Sequence, residues 1–147
     1  MSIAIRPLEE ADRTRWEVLF NAYIRFYEAH VPPDVIALNW QRLLGREDGF
    51  LGLAAADENG RLVGIAHALF HRSTWSPMFY CYLEDLFVDP GARGVGVGRA
   101  LIEAVYAEAD AKGCTRTYWA TKSDNATARR LYDGLATLSP FIQYRRG

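Results

Sequence analysis

The chain has 147 residues, half of them hydrophobic, so one domain with a core of its own is expected. Its 17 basic and 18 acidic residues nearly cancel and form no block of like charge, which argues against nucleic acid or an anionic membrane surface as a partner. Met1–Arg6 lacks the apolar stretch of a signal peptide, and no apolar run nears the ~20 residues that span a bilayer, so a cytoplasmic location is expected.

Ile3-Ala4-Ile5 reads as a short strand, and Glu9-Glu10-Ala11-Asp12 as an acidic helix start. Within that helix Trp16, Phe20, Tyr23 and Tyr27 share one face, which reads as core in preference to a substrate wall. Pro32-Pro33-Asp34 ends this helix and starts a second, Val35 to Leu44, closed by Gly45. Phe50 to Ala56 and Leu62 to Phe70 form a hairpin about Asp57-Glu58-Asn59-Gly60. Met78 to Val88 is aromatic and β-branched and reads as a long strand.

From Gly98 to Lys112 the residues Leu101, Ile102, Val105 and Ala109 fall on one helical face, and Gly113 supplies the stop. Thr115 to Ala120 is a strand parallel to the previous one if the helix is a right-handed crossover. A helix over Ala126 to Leu135 and a last strand over Phe141 to Arg145 complete the chain. The fold class is α/β (α+β): a mixed sheet, largely antiparallel, with one βαβ unit. Cys81 and Cys114 read as small buried hydrophobes, and His30, His67 and His71 lack metal-ligand spacing, so no metal is expected.

The most informative stretch is Arg93-Gly94-Val95-Gly96-Val97-Gly98-Arg99, between a strand and a helix. Alternate glycines let backbone approach a ligand, and the helix start turns unpaired N–H groups and a positive dipole end toward it. That suits a phosphate or pyrophosphate, with Arg93 and Arg99 adding charge. A Walker A loop fails because no Gly-Lys-Ser or Gly-Lys-Thr occurs, and a dinucleotide fingerprint fails because the third glycine comes one residue too soon.

Arg93-x-x-Gly96-x-Gly98, after the strand ending Leu86-Phe87-Val88-Asp89-Pro90, resembles the acetyl-CoA pyrophosphate signature of the GNAT superfamily of N-acetyltransferases. Tyr82–Val88 is similar to the branch of diamine acetyltransferases and fungal histone and D-amino-acid acetyltransferases. Asn125-x-x-Ala128-x-x-x-Tyr132 resembles the cofactor-side helix with its catalytic tyrosine, and Pro140–Arg146 the ending of the fungal group. The likeness covers nearly the whole chain. One departure is Ala136-Thr137, where many members carry a Gly-aromatic pair, with Gly134 displaced earlier.

The resemblance implies acetyl-CoA as co-substrate, bound by Leu86, Phe87, Val88, Arg93, Gly94, Val95, Gly96, Val97, Gly98, Arg99, Asn125, Ala128 and Tyr132. In the family the strand bulges near Leu86 and parts from its parallel neighbour, freeing backbone groups for pantetheine. An amine of pKa about 10.4 must lose a proton before it attacks, and Glu84 is the candidate base because the matching glutamate of the diamine-type enzymes faces the amine; its alternative is a structural ion pair at a strand edge. In a regular strand Asp85 points to the opposite face, so the two carboxylates do not serve one site. Tyr132 by resemblance protonates the departing thiolate; its alternative is a core tyrosine. Asn125 either bonds pantetheine or simply caps a helix.

Neither cysteine sits where an acyl-enzyme is expected, which favours direct transfer in a ternary complex. The alternatives are a non-catalytic acetyl-CoA-binding module and a transferase of a longer acyl group. The acceptor, a polyamine, an amino acid or a peptide amine, carries no diagnostic motif. The branch it resembles is commonly dimeric and the apolar segment Leu138 to Tyr144 offers surface to pack across a twofold, so a homodimer is expected.

Overall fold

The computed structural model describes residues 2–147. Five strands, β1 (Ala4–Pro7), β2 (Phe50–Ala56), β3 (Leu62–His71), β4 (Tyr80–Val88) and β5 (Arg116–Tyr118), lie in chain order in one sheet. The pairings from β1 through β4 are antiparallel and β4–β5 is parallel. The helices are α1 (Arg13–Phe26), α2 (Pro33–Gly45), α3 (Val97–Lys112) and α4 (Ala126–Asp133). The expected mixed sheet, antiparallel first and crossing over through α3, is what the chain forms.

Each boundary has a local cause. Asp57 Oδ1 accepts from the N–H groups of Asn59 and Arg61 at 2.9 and 3.0 Å, closing the β2–β3 turn. Pro33 occupies the first turn of α2, where its missing N–H costs nothing. Gly113, at φ 79°, ends α3 in the left-handed conformation. Buried Asp12 accepts from Arg6 Nη1 and Nη2 at 2.7 and 3.0 Å and from the Glu9 N–H at 2.7 Å, tying β1 to the start of α1.

β2 and β3 are buried on both faces, which is why they read as apolar runs instead of alternating. On one face Leu51, Leu53, Val63 and Leu83 pack against Val97, Leu101, Ile102 and Val105 of α3. On the other, Ala54, Ile65 and Phe87 pack against Trp16, Leu19 and Phe20 of α1 and Ile36, Trp40 and Leu43 of α2. Each fully buried Leu, Ile or Val here stabilises by roughly 1.5–3 kcal/mol before entropy is counted.

Three expectations need correction. The strand expected at Phe141 to Arg145 does not form: β5 is only three residues long, and the tail finds no ladder among the described residues. Phe141, Ile142 and Tyr144 are instead 87%, 79% and 91% exposed. The strand expected from Thr115 to Ala120 shortens to Arg116–Tyr118, and the last helix stops at Asp133, two residues early. After α4, Gly134 keeps an ordinary φ of −83°, and the Leu135 carbonyl accepts from the Tyr106 hydroxyl at 2.8 Å. Among the described residues no helix is long and apolar enough to cross a membrane.

Candidate active site

Beyond Val88 the chain makes one 3-10 turn over Pro90–Ala92, capped by Asp89 Oδ1, which accepts from the Gly91 N–H at 3.1 Å. It enters α3 through Gly94 and Gly96, at φ 83° and 85°, a conformation that glycine adopts without steric cost. A Cβ at either would project into open space, so it is backbone that lines the concavity. The first helical bond runs from the Ala100 N–H to the Gly96 carbonyl at 3.0 Å, which leaves the N–H groups of Val97, Gly98 and Arg99 without acceptors in the helix. No acidic residue lies in that first turn. Arg93 donates from Nε to the Val88 carbonyl at 3.1 Å, which holds its guanidinium beside the turn. Such a cradle fits a pyrophosphate.

The turn opens into a cavity of about 530 Å³. Leu86, Phe87, Val88, Arg93, Gly94, Gly96, Val97, Gly98 and Arg99 line it, with Asn125, Ala128 and Tyr132 from α4. Val95 does not; it is 49% exposed and lies outside that wall. β5 pairs with β4 only at Tyr80, Cys81 and Tyr82, so the strands have parted before Leu86–Val88 reaches the cavity. Asn125 caps α4, accepting at Oδ1 from the Ala128 N–H at 3.4 Å while lining the same wall. The Tyr132 ring meets Trp119 edge-on at 5.3 Å. Burial, and then Tyr27, raises its hydroxyl above the ordinary phenol range, so it stays protonated and able to donate.

A second cavity, about 830 Å³, lies on the α1 face and shares Tyr23 and Tyr27 with the first. Both Glu84 and Asp85 line it, contrary to the alternation expected of a regular strand. The cause is a β-bulge. His67 pairs with Asp85 but Ala68 pairs with Leu83, so Glu84 is an extra residue. Leu83 and Leu86 then face α3, while the two carboxylates between them face α1. The break in register therefore sits at Glu84, two residues before Leu86.

Glu84 is open to solvent at the cavity wall, yet partial burial first, and Asp85 second, raise its carboxyl above the ordinary range. Asp85 Oδ2 lies 2.9 Å from His67 Nδ1, and Trp16 donates from Nε1 to His67 Nε2 at 2.9 Å. Tyr23, raised by burial and then by Asp85, remains a phenol; its hydroxyl is 3.5 Å from the Glu84 carbonyl. The aromatic stripe of α1 is thus divided, with Trp16 and Phe20 in the core and Tyr23 and Tyr27 lining the junction of the cavities. Asp85, His67, Tyr23 and Arg145 also line the site, although the sequence reading put Asp85 on the opposite face and Tyr23 in the core, and gave His67 and Arg145 no role there. Two signals were there: the three-residue step from Leu83 to Leu86, and a histidine inside the apolar run of β3.

A mixed sheet whose parallel strands part beside a glycine turn is the architecture of N-acetyltransferases. It superimposes with a TM-score of 0.83 at 18% identity on the ribosomal-protein-alanine N-acetyltransferase of Brucella melitensis, covering 99% of each chain. It also superimposes on aminoglycoside N-acetyltransferase AAC(6')-Iy in complex with CoA, with a TM-score of 0.80 at 23% identity over 99% of this chain and 95% of that one. In sequence the chain is 34% identical to the D-amino-acid N-acetyltransferase HPA3 of Saccharomyces cerevisiae over 98% of its own length and 90% of that protein's. Residues 16–135 match the acetyltransferase (GNAT) family, and the chain belongs to it. It is an acetyl-CoA-dependent N-acetyltransferase.

Proposed function

We propose that the cavity at the glycine turn holds acetyl-CoA and the one beside Glu84 holds a primary amine, acetylated directly in a ternary complex. The observation that carries this reading is the meeting of the two cavities at Tyr23 and Tyr27, with Tyr132 in the first and Glu84 in the second. The N–H groups at the start of α3, with Arg93 and Arg99, bind the pyrophosphate, and backbone of Leu86–Val88 binds the pantetheine arm. The coenzyme supplies the acetyl group as a thioester. Glu84 accepts the proton the ammonium must lose, and its raised pKa brings it closer to a basic amine. Tyr132 holds a proton at Oη for the departing sulfur.

Direct transfer is supported by the cysteines. Cys81 is wholly buried, its thiol pushed up to about 12 by burial and then by Cys114, and burial raises Cys114 as well. Neither lines either of these two cavities. The wall that carries Glu84 and Asp85 also carries Lys122 and Arg145. That pairing of charges suits an amino acid, with its ammonium and carboxylate, better than a polyamine. The expected result is CoA release with acetyl-CoA and amino acids such as D-phenylalanine and D-lysine, exceeding that with spermidine, and initial-rate lines that intersect. Parallel lines would overturn direct transfer, and no release with any amine would overturn the reading.

The protein is further proposed to be a homodimer. Leu138, Phe141, Ile142 and Tyr144 leave apolar surface on the C-terminal tail, and the sheet ends in the short edge strand β5. Light scattering at micromolar concentration is expected to give twice the mass of 16.6 kDa. A monomer mass would reject it.

A further inference from the structure

Trp16, His67 and Asp85 form a chain from the core to the wall of the acceptor cavity. An indole N–H can only donate, so at His67 the Nε2 atom must accept from Trp16 and carries no hydrogen. The neutral ring's one hydrogen is then on Nδ1, which donates to Asp85 Oδ2. The ring cannot turn over: its side chain is 5% exposed, Trp16 lies 5.9 Å from it and Phe20 meets it edge-on at 5.0 Å. Nor can it pass a proton through, because its second nitrogen is occupied by a group that has no lone pair to offer. It is a fixed donor.

His67 and Asp85 both line the cavity, and Asp85 presents more of itself there, with 18% of its side chain exposed against 5% for His67. The bulge at Glu84 sets the two carboxylates side by side there, but only Asp85 is held from behind. Glu84 has solvent around it and no side-chain hydrogen bond among the described residues. A carboxylate locked in place suits a permanent counter-charge; one free to move suits the gain and loss of a proton.

Resting on the assignment of this cavity to the amine, we propose that Asp85 anchors the acceptor's ammonium while Glu84 takes its proton. His67, its tautomer fixed by Trp16, is the positioning residue that aims Asp85.

Two measurements test this. With ¹⁵N-labelled histidine at pH 7.5, and His67 assigned by its loss from the His67→Asn spectrum, the expected result is a protonated Nδ1 and a bare Nε2. A hydrogen on Nε2 would overturn the proposal whatever the enzyme acetylates. In CoA release with spermidine, D-phenylalanine and D-lysine, Asp85→Asn and His67→Leu should raise the amine KM about 10- to 100-fold, the range of one lost charge-assisted contact. The acetyl-CoA KM should stay within about a factor of two, since uniform binding on that side is untouched. His67→Asn keeps an N–H near the Nδ1 position and should restore most of the amine KM, which a merely structural role would not do. An unchanged amine KM in Asp85→Asn, or an equal rise for both substrates in His67→Leu, would overturn the anchor. If the parent acetylates none of the three amines, the assignment of the cavity falls, and with it the anchor, while the tautomer result still decides the role of His67.

Discussion

Gly96→Glu is expected to weaken acetyl-CoA binding by at least about a hundredfold, measured by calorimetry, because like charges brought together at an interface cost several kcal/mol. Two effects combine at this position and can be separated. Gly96 sits at φ 85°, where any residue with a Cβ is strained by about 1–2 kcal/mol. Its Cβ would meet nothing within 4 Å, so a side chain enters the open cradle and clashes with nothing already there. Gly96→Ala therefore reports the strain alone and should retain most of the binding. The glutamate adds an anion where the pyrophosphate is proposed to lie and opposes the positive end of α3. The fold should survive both changes, since the core beneath begins at Val97 and Leu101. If Gly96→Glu binds acetyl-CoA as well as the parent does, the coenzyme lies elsewhere.

That turn was legible in the sequence because its information is local. Alternate glycines, a flanking arginine and an apolar helix face starting at once all sit within about twenty residues, and they need no distant partner to be read. The hairpin at Gly60 and the stop at Gly113 were legible for the same reason. The C-terminal strand was not. Ile142-Gln143-Tyr144-Arg145 alternates as a strand should, but alternation states only that one face is apolar. A strand also needs a neighbour to complete its ladder, and β5 offers three residues.

The acidic wall shows a subtler limit. Strict alternation along Leu83-Glu84-Asp85-Leu86 sends the two carboxylates to opposite faces, and for a regular strand that inference is sound. The bulge inverts it by inserting one residue opposite the His67–Ala68 step. The core makes this favourable: with Glu84 extruded, Leu83, Leu86 and Val88 all turn toward α3 and Phe87 toward α1. Burying these apolar side chains outweighs the ladder bond lost at a bulge, at roughly 1.5–3 kcal/mol per large side chain. His67 was weighed only as a metal ligand, because a histidine in a buried strand has no motif that gives it another role. Only the indole of Trp16, fifty-one positions away in sequence, gives it a tautomer and a direction.

Tyr132→Phe is expected to leave acetyl-CoA affinity intact and to lower kcat by something on the order of 10²–10⁴-fold, the span associated with a lost general acid. The change removes one oxygen. The ring's edge-on contact with Trp119 and its place beside the coenzyme cavity both belong to carbon atoms that Phe keeps. A tyrosine present only for packing would therefore be replaced with little loss. Burial holds the hydroxyl protonated well beyond neutral pH, so across the working range the parent carries the proton and the variant has none. Transfer to a leaving thiolate would then fall to water or to the acceptor, neither of which is held in place as the Tyr132 hydroxyl is. The loss should appear in kcat and in kcat/KM alike, the signature of an interaction made only as the sulfur departs. Turnover within a factor of about two of the parent at saturating substrates, well short of that general-acid range, would remove Tyr132 from the mechanism and leave solvent or the acceptor itself to protonate the sulfur.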